Sequence, residues 1–148
     1  MPTLSHMLWF DCHAEEAANF YTGIFAGKVH NVARGADGKA FTVNFEILGS
    51  QYIALNGGPQ FTFNESFSIF ITVDGQEEVD QYWNALTVDG GEEGRCGWLK
   101  DKFGLSWQIV PKQLGEYLGN SDPAVASFAM QAMMNMSKIV ISDLVESK

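Results

Sequence analysis

The feature that most constrains this chain is a pattern that runs twice through its first 111 residues. In the first pass a short aromatic-rich run, Leu4 to Phe10, reads as a strand and is broken by Asp11. Ala14 to Phe25 then carries Ala14, Ala17, Ala18, Tyr21, Ile24 and Phe25 at helical spacing, with Gly27 as its stop. After the loop at Gly35-Ala36-Asp37-Gly38, Phe41 to Leu48 alternates apolar with polar residues. Gly49-Ser50 reads as a tight turn into a partner strand, Gln51 to Leu55. The second pass runs from a strand at Ser66–Val73 through a break at Asp74-Gly75 to a helix at Glu77–Val88. A Gly90-Gly91 stop follows, then strands at about Arg95–Lys100 and Leu105–Val110, closed by Pro111. Any two amphipathic helices share apolar spacing. Here, however, Glu15-Glu16 and Glu77-Glu78 also match, and Tyr21 and Trp83 each stand five residues after the second Glu. That agreement favours an internal duplication.

The remainder, 112–148, turns helical: Lys112 to Leu118 ended by Gly119, then an Asp122-Pro123 start signal before Val125 to Met136. Lys138 to Ile141 reads as a short strand and Ser142 as the cap of a last turn. The Met-rich stripe (Met130, Met133, Met134, Met136) suits core gap-filling or a dimer contact better than a cofactor. The chain is thus an α+β protein, one domain built of a module at about 1–63, a second at about 64–111, and a helical extension over 112–148. At 46% hydrophobic it has the composition of a globular protein.

Charge and cysteine content narrow the class. Nine Lys and Arg against eighteen Asp and Glu give a net charge of −9, with no basic stripe, which argues against nucleic acid and anionic membranes as partners. No apolar run is long enough to span a bilayer, and MPTLSH lacks the features of a signal peptide. Cys12 and Cys96 make no disulfide framework, so a cytoplasmic setting is expected.

Alternation assigns the strand faces. Phe67, Ile69, Ile71 and Val73 oppose Ser66, Ser68, Phe70 and Thr72; Leu105, Trp107 and Ile109 oppose Ser106, Gln108 and Val110; Phe41, Val43, Phe45 and Ile47 oppose Thr42, Asn44 and Glu46. The apolar faces belong under helices. The polar faces are either solvated or turned towards a guest molecule, and the duplication favours the second reading.

The blocks LWFD (8–11), EEAANFY (15–21), LNGGP (55–59), EEVDQYW (77–83) and CGWLKDKFGLSWQIVP (96–111) resemble one group of the vicinal-oxygen-chelate superfamily. That superfamily includes glyoxalase I, extradiol dioxygenases, fosfomycin-modifying enzymes and bleomycin-binding proteins. The group, called PhnB-like, carries the label 3-demethylubiquinone-9 3-methyltransferase, and the resemblance extends over nearly the whole chain, including AMQAMMNMSKI. It implies two βαβββ modules forming a curved mixed sheet around a cavity between them, in a homodimer. Metal enzymes of the superfamily place ligands on the first, fourth, fifth and eighth strands, which here match Ser5 or His6, Asn56, Ser68 and Gln108. Serine and neutral amides are poor ligands for zinc, nickel or iron, so no metal or other cofactor is expected, with His6 the one sound donor and Glu46 a nearby carboxylate.

Two functional readings of different class follow. In the first, the chain binds a small organic molecule through His6, Asn44, Glu46, Asn56, Ser68, Phe70, Cys96, Ser106 and Gln108, with no catalytic residue assigned. In the second it is a metal-dependent lyase, isomerase or dioxygenase with His6 as a ligand and Glu46 as general base. A third makes the Met-rich helix an interaction surface. Methyl transfer is disfavoured, because neither Gly35–Gly38 nor Asn56–Pro59 leads into a helix as a methyl-donor loop requires. Cys12-His13 reads as surface, since adjacent side chains rarely face each other. His30 reads as surface too, Lys100-Asp101 as a turn charge pair, and Trp98 and Trp107 as core or cavity wall.

Overall fold

The computed structural model describes residues 1–147, in two compact units, Met1–Phe63 and Asn64 onward. The first runs β1 (His6–Phe10), α1 (Ala14–Ile24), β2 (Gly27–Arg34), β3 (Ala40–Ile47) and β4 (Ser50–Asn56). Its strands order as β1-β4-β3-β2, with β1 parallel to β4 and the other pairs antiparallel. Alternation works as the sequence suggests: Val43, Phe45 and Ile47 are buried with Leu8, Phe10, Tyr52 and Ala54 on the face that α1 covers with Ala17, Ala18 and Tyr21. Tyr21 meets Phe45 at 6.1 Å between ring centroids, and Phe45 stacks on Tyr52 at 5.3 Å. Burying each such ring is worth roughly 1.5–3 kcal/mol.

Two details differ from the sequence reading. The hairpin turn is Leu48-Gly49, not Gly49-Ser50: both residues have positive φ (50° and 81°), as a two-residue turn matching strand twist requires, and Ile47 pairs with Ser50. Residues 27–34, the second strand of the first module, whose bounds the residue pattern does not give, form an edge strand. They lack alternation because most of them are exposed and the register slips between Val29 and Asn31.

The second unit repeats the design. It runs β5 (Ser68–Val73), α2 (Gln76–Leu86), β6 (Glu92–Glu93), β7 (Trp98–Lys100) and β8 (Ser106–Pro111). The order β5-β8-β7-β6, with β5 parallel to β8, reproduces that of the first sheet. Trp83 stands where Tyr21 does and is equally buried. Both sheets are open, and the two βαβββ modules are present.

Asp101 corrects another expectation. It is 2% exposed. Its carboxylate accepts from the backbone N–H of Phe103 (2.8 Å) and Leu105 (3.1 Å) and from the indole N–H of Trp107 (2.9 Å), so it is the staple of the β7–β8 turn. Lys100 pairs instead with Glu65.

The C-terminal part forms α3 (Lys112–Leu118), α4 (Pro123–Met134) and a 3₁₀ turn, Ile141–Leu144. Asp122 caps α4 by accepting from the Ala124 N–H at 3.0 Å. Leu114, Ala129, Ile139 and Leu144 are buried as one cluster against which Met133 and Met136 pack, whereas Met130 and Met134 face outward. Lys138–Ile141 is not a strand: Ile139 O and the Ile141 N–H bond the side chain of Gln76 instead of a neighbouring strand. No helix among the described residues is long and apolar enough to cross a membrane.

Candidate functional site

In the second unit, cross-strand register sorts the side chains. Ser68 pairs with Ser106, Phe70 and Trp98 with Gln108, and Lys100 with Ser106, so these six residues share the face opposite the buried Ile69, Ile71, Leu99, Trp107 and Ile109. The structure therefore brings together Ser68, Phe70, Ser106 and Gln108 as expected. Gln108 Nε2 donates to Ser68 Oγ at 3.1 Å, while the Phe70 ring is 54% exposed.

Along this face, between β6, β7 and the turn before β7, lies a mostly apolar cavity of about 440 Å³, lined among others by Glu92, Arg95, Cys96, Trp98, Lys100 and Ser106. Ser106 is only 1% exposed, yet its hydroxyl has no hydrogen-bond partner. A buried hydroxyl left unpaired costs about 1–3 kcal/mol, a penalty that a polar atom entering the cavity would relieve. Two of the five charged residues around it pair with each other. Lys100 forms an ion pair with Glu65; its hydrogen bond to that carboxylate raises the ammonium pKa and lowers the carboxyl pKa. Glu93 accepts from the Trp83 indole at 2.8 Å.

The third wall is the turn Gly94–Gly97. Cys96 holds φ 58° and Gly97 φ 86°. A left-handed conformation costs an ordinary L residue about 1–2 kcal/mol, so surrounding bonds must hold Cys96 there. The Gly94 N–H donates to Trp98 O (2.8 Å) and the Trp98 N–H to Arg95 O (3.0 Å). The strand expected from Arg95 is thus shortened to Trp98–Lys100, and Cys96, half-buried with a free thiol, faces the cavity from a turn.

The first unit divides its predicted residues. Asn44 and Glu46 lie on the face away from α1, across from Ile53 and Gln51. His30 lies exposed on β2, as a surface residue, and its Nε2 stands 2.8 Å from Glu46 Oε1.

His6 and Asn56 go the other way. His6 has the parity of Leu8 and Phe10 and sets its ring 5.7 Å from Tyr52, on the helix-bearing face. Asn56 accepts from the Ala14 N–H at the start of α1 (2.8 Å) and donates to Ala40 O (2.9 Å), so its amide is engaged in tying α1 to β3. Cys12 is exposed, and His13 Nδ1 pairs with Glu16 at 3.2 Å. A hollow of about 670 Å³ beside them holds Asp11, Glu15, Arg34 and Asp37, of which Arg34 is clamped by Glu15 at 2.6 Å. The positions matched to the superfamily's metal ligands therefore do not fit a divalent ion: one imidazole turned to the helix side, one engaged amide, and a Ser–Gln pair. Among the described residues, no three His, Cys, Asp or Glu side chains gather as metal ligands would.

Residues 2–110 match the sequence profile of the family described as 3-demethylubiquinone-9 3-methyltransferase. The resemblance expected over nearly the whole chain thus stops in that comparison at β8, before the C-terminal extension. No curated protein matches the sequence significantly. Among solved structures, a putative 3-demethylubiquinone-9 3-methyltransferase, a PhnB protein from Bacillus cereus, is 26% identical with a TM-score of 0.68, over 74% of this chain and 99% of that one. A Pseudomonas aeruginosa protein shares the fold at 17% identity and a TM-score of 0.63, over 75% and 98% of the two chains. The fosfomycin resistance protein FosX from Listeria monocytogenes, solved with Mn(II) and sulfate, shares it at 19% identity and 0.56, over 80% and 96%. The duplicated βαβββ topology and the match over β1 to β8 give one answer: the chain belongs to the family described as 3-demethylubiquinone-9 3-methyltransferase, and it is similar to a PhnB protein that carries the same description.

Proposed function

We propose that the second unit binds a small, neutral organic molecule without a tightly held metal, seating an apolar body against Trp98 and a polar atom on Ser106. One observation carries the reading: Ser106, 1% exposed, holds a buried and unpartnered hydroxyl at the wall of a mostly apolar cavity of about 440 Å³. A cavity of that size suits a ligand of drug-like dimensions. The charges argue against an anion: Glu65, Glu92 and Glu93 outnumber Arg95 and Lys100 around the cavity, in a chain of net charge −9. The mostly apolar lining argues against a cation, whose desolvation it would not repay. Methyl transfer is no part of the reading, since Gly35–Gly38 joins β2 to β3 and Asn56–Pro59 leads into no helix.

N-Phenyl-1-naphthylamine, a neutral aromatic dye with a single N–H donor, tests the reading. The full chain should bind it with a rise in fluorescence that EDTA leaves unchanged. Ser106→Ala should weaken binding about three- to tenfold, the worth of one hydrogen bond. The same substitution should stabilise the free protein by about 1 kcal/mol, because it removes the unpaired group. A dye that fails to bind, or a Ser106→Ala protein that binds equally well and is less stable, would refute the reading.

A further inference from the structure

The turn that walls the cavity is held from outside the family match, by the segment that follows α4. Cys96 N–H donates to Met136 O (2.9 Å) and Gly97 N–H to Ser137 O (2.8 Å), while the Ser137 hydroxyl donates back to Gly94 O (2.5 Å). Behind them the fully buried Ile139 closes on Gly97: a Cβ at that glycine would stand 3.2 Å from Ile139 Cγ1 and 3.2 Å from Ile109 O. The segment is anchored on its far side by α2. Gln76 Nε2 donates to Ile139 O (3.0 Å), Gln76 Oε1 accepts from the Ile141 N–H (2.8 Å), and Lys138 pairs with Asp80 at 2.8 Å. A side-chain amide thus provides both rungs that a neighbouring strand would supply, and the segment is clamped between α2 and the turn.

From these contacts we infer that Met136–Ile139 is a specificity-determining part of the cavity: it fixes the left-handed Cys96-Gly97 turn and thereby sets the size of molecule the wall admits. The inference rests on the binding reading proposed for this cavity. It assigns Ser137 and Ile139 as positioning residues, neither of which touches the bound molecule, and it gives the C-terminal extension a role at the site rather than in stability alone. The apolar outer face of the same extension, Phe128, Met130 and Met134, has no part in this.

The test uses the full chain with Cys12→Ser, so that Cys96 is the single thiol. Three quantities are read: the labelling rate of Cys96 by a thiol reagent, the melting temperature, and the ratio of affinities for N-phenyl-1-naphthylamine and the smaller 1-naphthol. Ser137→Ala should speed labelling about three- to tenfold and shift the affinity ratio by a similar factor, again the worth of one hydrogen bond. Ser137→Thr, which keeps the hydroxyl, should restore both, and Met130→Ala should change neither. A uniform loss of stability would not move the ratio. If wild type binds and Ser106→Ala weakens binding while Ser137→Ala leaves the ratio unchanged, the inference falls and the binding reading stands. If wild type binds neither compound, both fall.

Discussion

Asp101 offers the sharpest energetic prediction. Its carboxylate, 2% exposed, receives two backbone N–H groups on Oδ1 and the Trp107 indole N–H on Oδ2. In Asp101→Asn the amide oxygen can keep both backbone donors, but the NH₂ then stands against the indole N–H, donor facing donor. One charge-assisted bond is lost, at a cost of about 1.5–3 kcal/mol. In Asp101→Ala all three donors are stranded in a buried turn, and the loss rises to about 3–5 kcal/mol. Total stability for a domain is about 5–15 kcal/mol, so the Ala protein approaches the limit of folding. Urea unfolding followed by tryptophan fluorescence measures both. With an m value of about 1–3 kcal/mol/M, the Asn midpoint should drop by about 1 M and the Ala midpoint by roughly twice that. A double-mutant cycle with Trp107→Phe should show that most of the Asn penalty vanishes once the indole N–H is gone. Equal, small losses in the two single variants would refute the staple, and so would additivity in the cycle.

Two further predictions concern residues whose roles the fold reassigns. Asn56→Ala should cost about 1–2 kcal/mol in unfolding free energy by uncapping α1, yet leave dye binding unchanged; a loss of binding at unchanged stability would return Asn56 to the site. Asp80, whose carboxyl pKa is lowered by its hydrogen bonds to Lys138 and Gln76, supplies stability that is full above its ordinary value of 3.8 and lost as the pH falls through the lower folded value. The protection of the Cys96 and Gly97 amides from hydrogen exchange, taken relative to the intrinsic rate at each pH, should therefore fall below about pH 4 in wild type, with no such acid step in Asp80→Asn.

The elements were largely legible in the sequence because burial enforced their periodicity. Tyr21 and Trp83 mark the two helices at matched offsets, and Phe45 and Ile71 keep strict alternation, since each must reach a helix. Legibility failed where that constraint lapses. β2 faces solvent along most of its length and is bulged, so nothing forces its residues to alternate. The site was half legible for a related reason. Ser68, Phe70, Ser106 and Gln108 follow from parity on strands whose other face is apolar. Face assignment at His6, beyond the buried part of β1, and at Asn56, which ends β4, depends on register that only the partner strand defines. Cys96 was reachable only as part of a block; its left-handed turn is imposed by backbone bonds to residues 40 positions later, beyond any local pattern.

Gln76 has a consequence for how such a chain can change over generations. One carboxamide holds the tail through two bonds to Ile139 and Ile141, the work that a whole row of peptide groups performs between strands. A shorter Asn falls one methylene short of that span, and a Glu can accept but not donate. A single codon can therefore remove both bonds on the α2 side of the tail, while its bonds to the Cys96-Gly97 turn, the Lys138–Asp80 pair and the buried Ile139 and Leu144 remain. Lineages could loosen or tighten the extra wall in one mutational step and so alter what the molecule holds without rebuilding the scaffold that holds it.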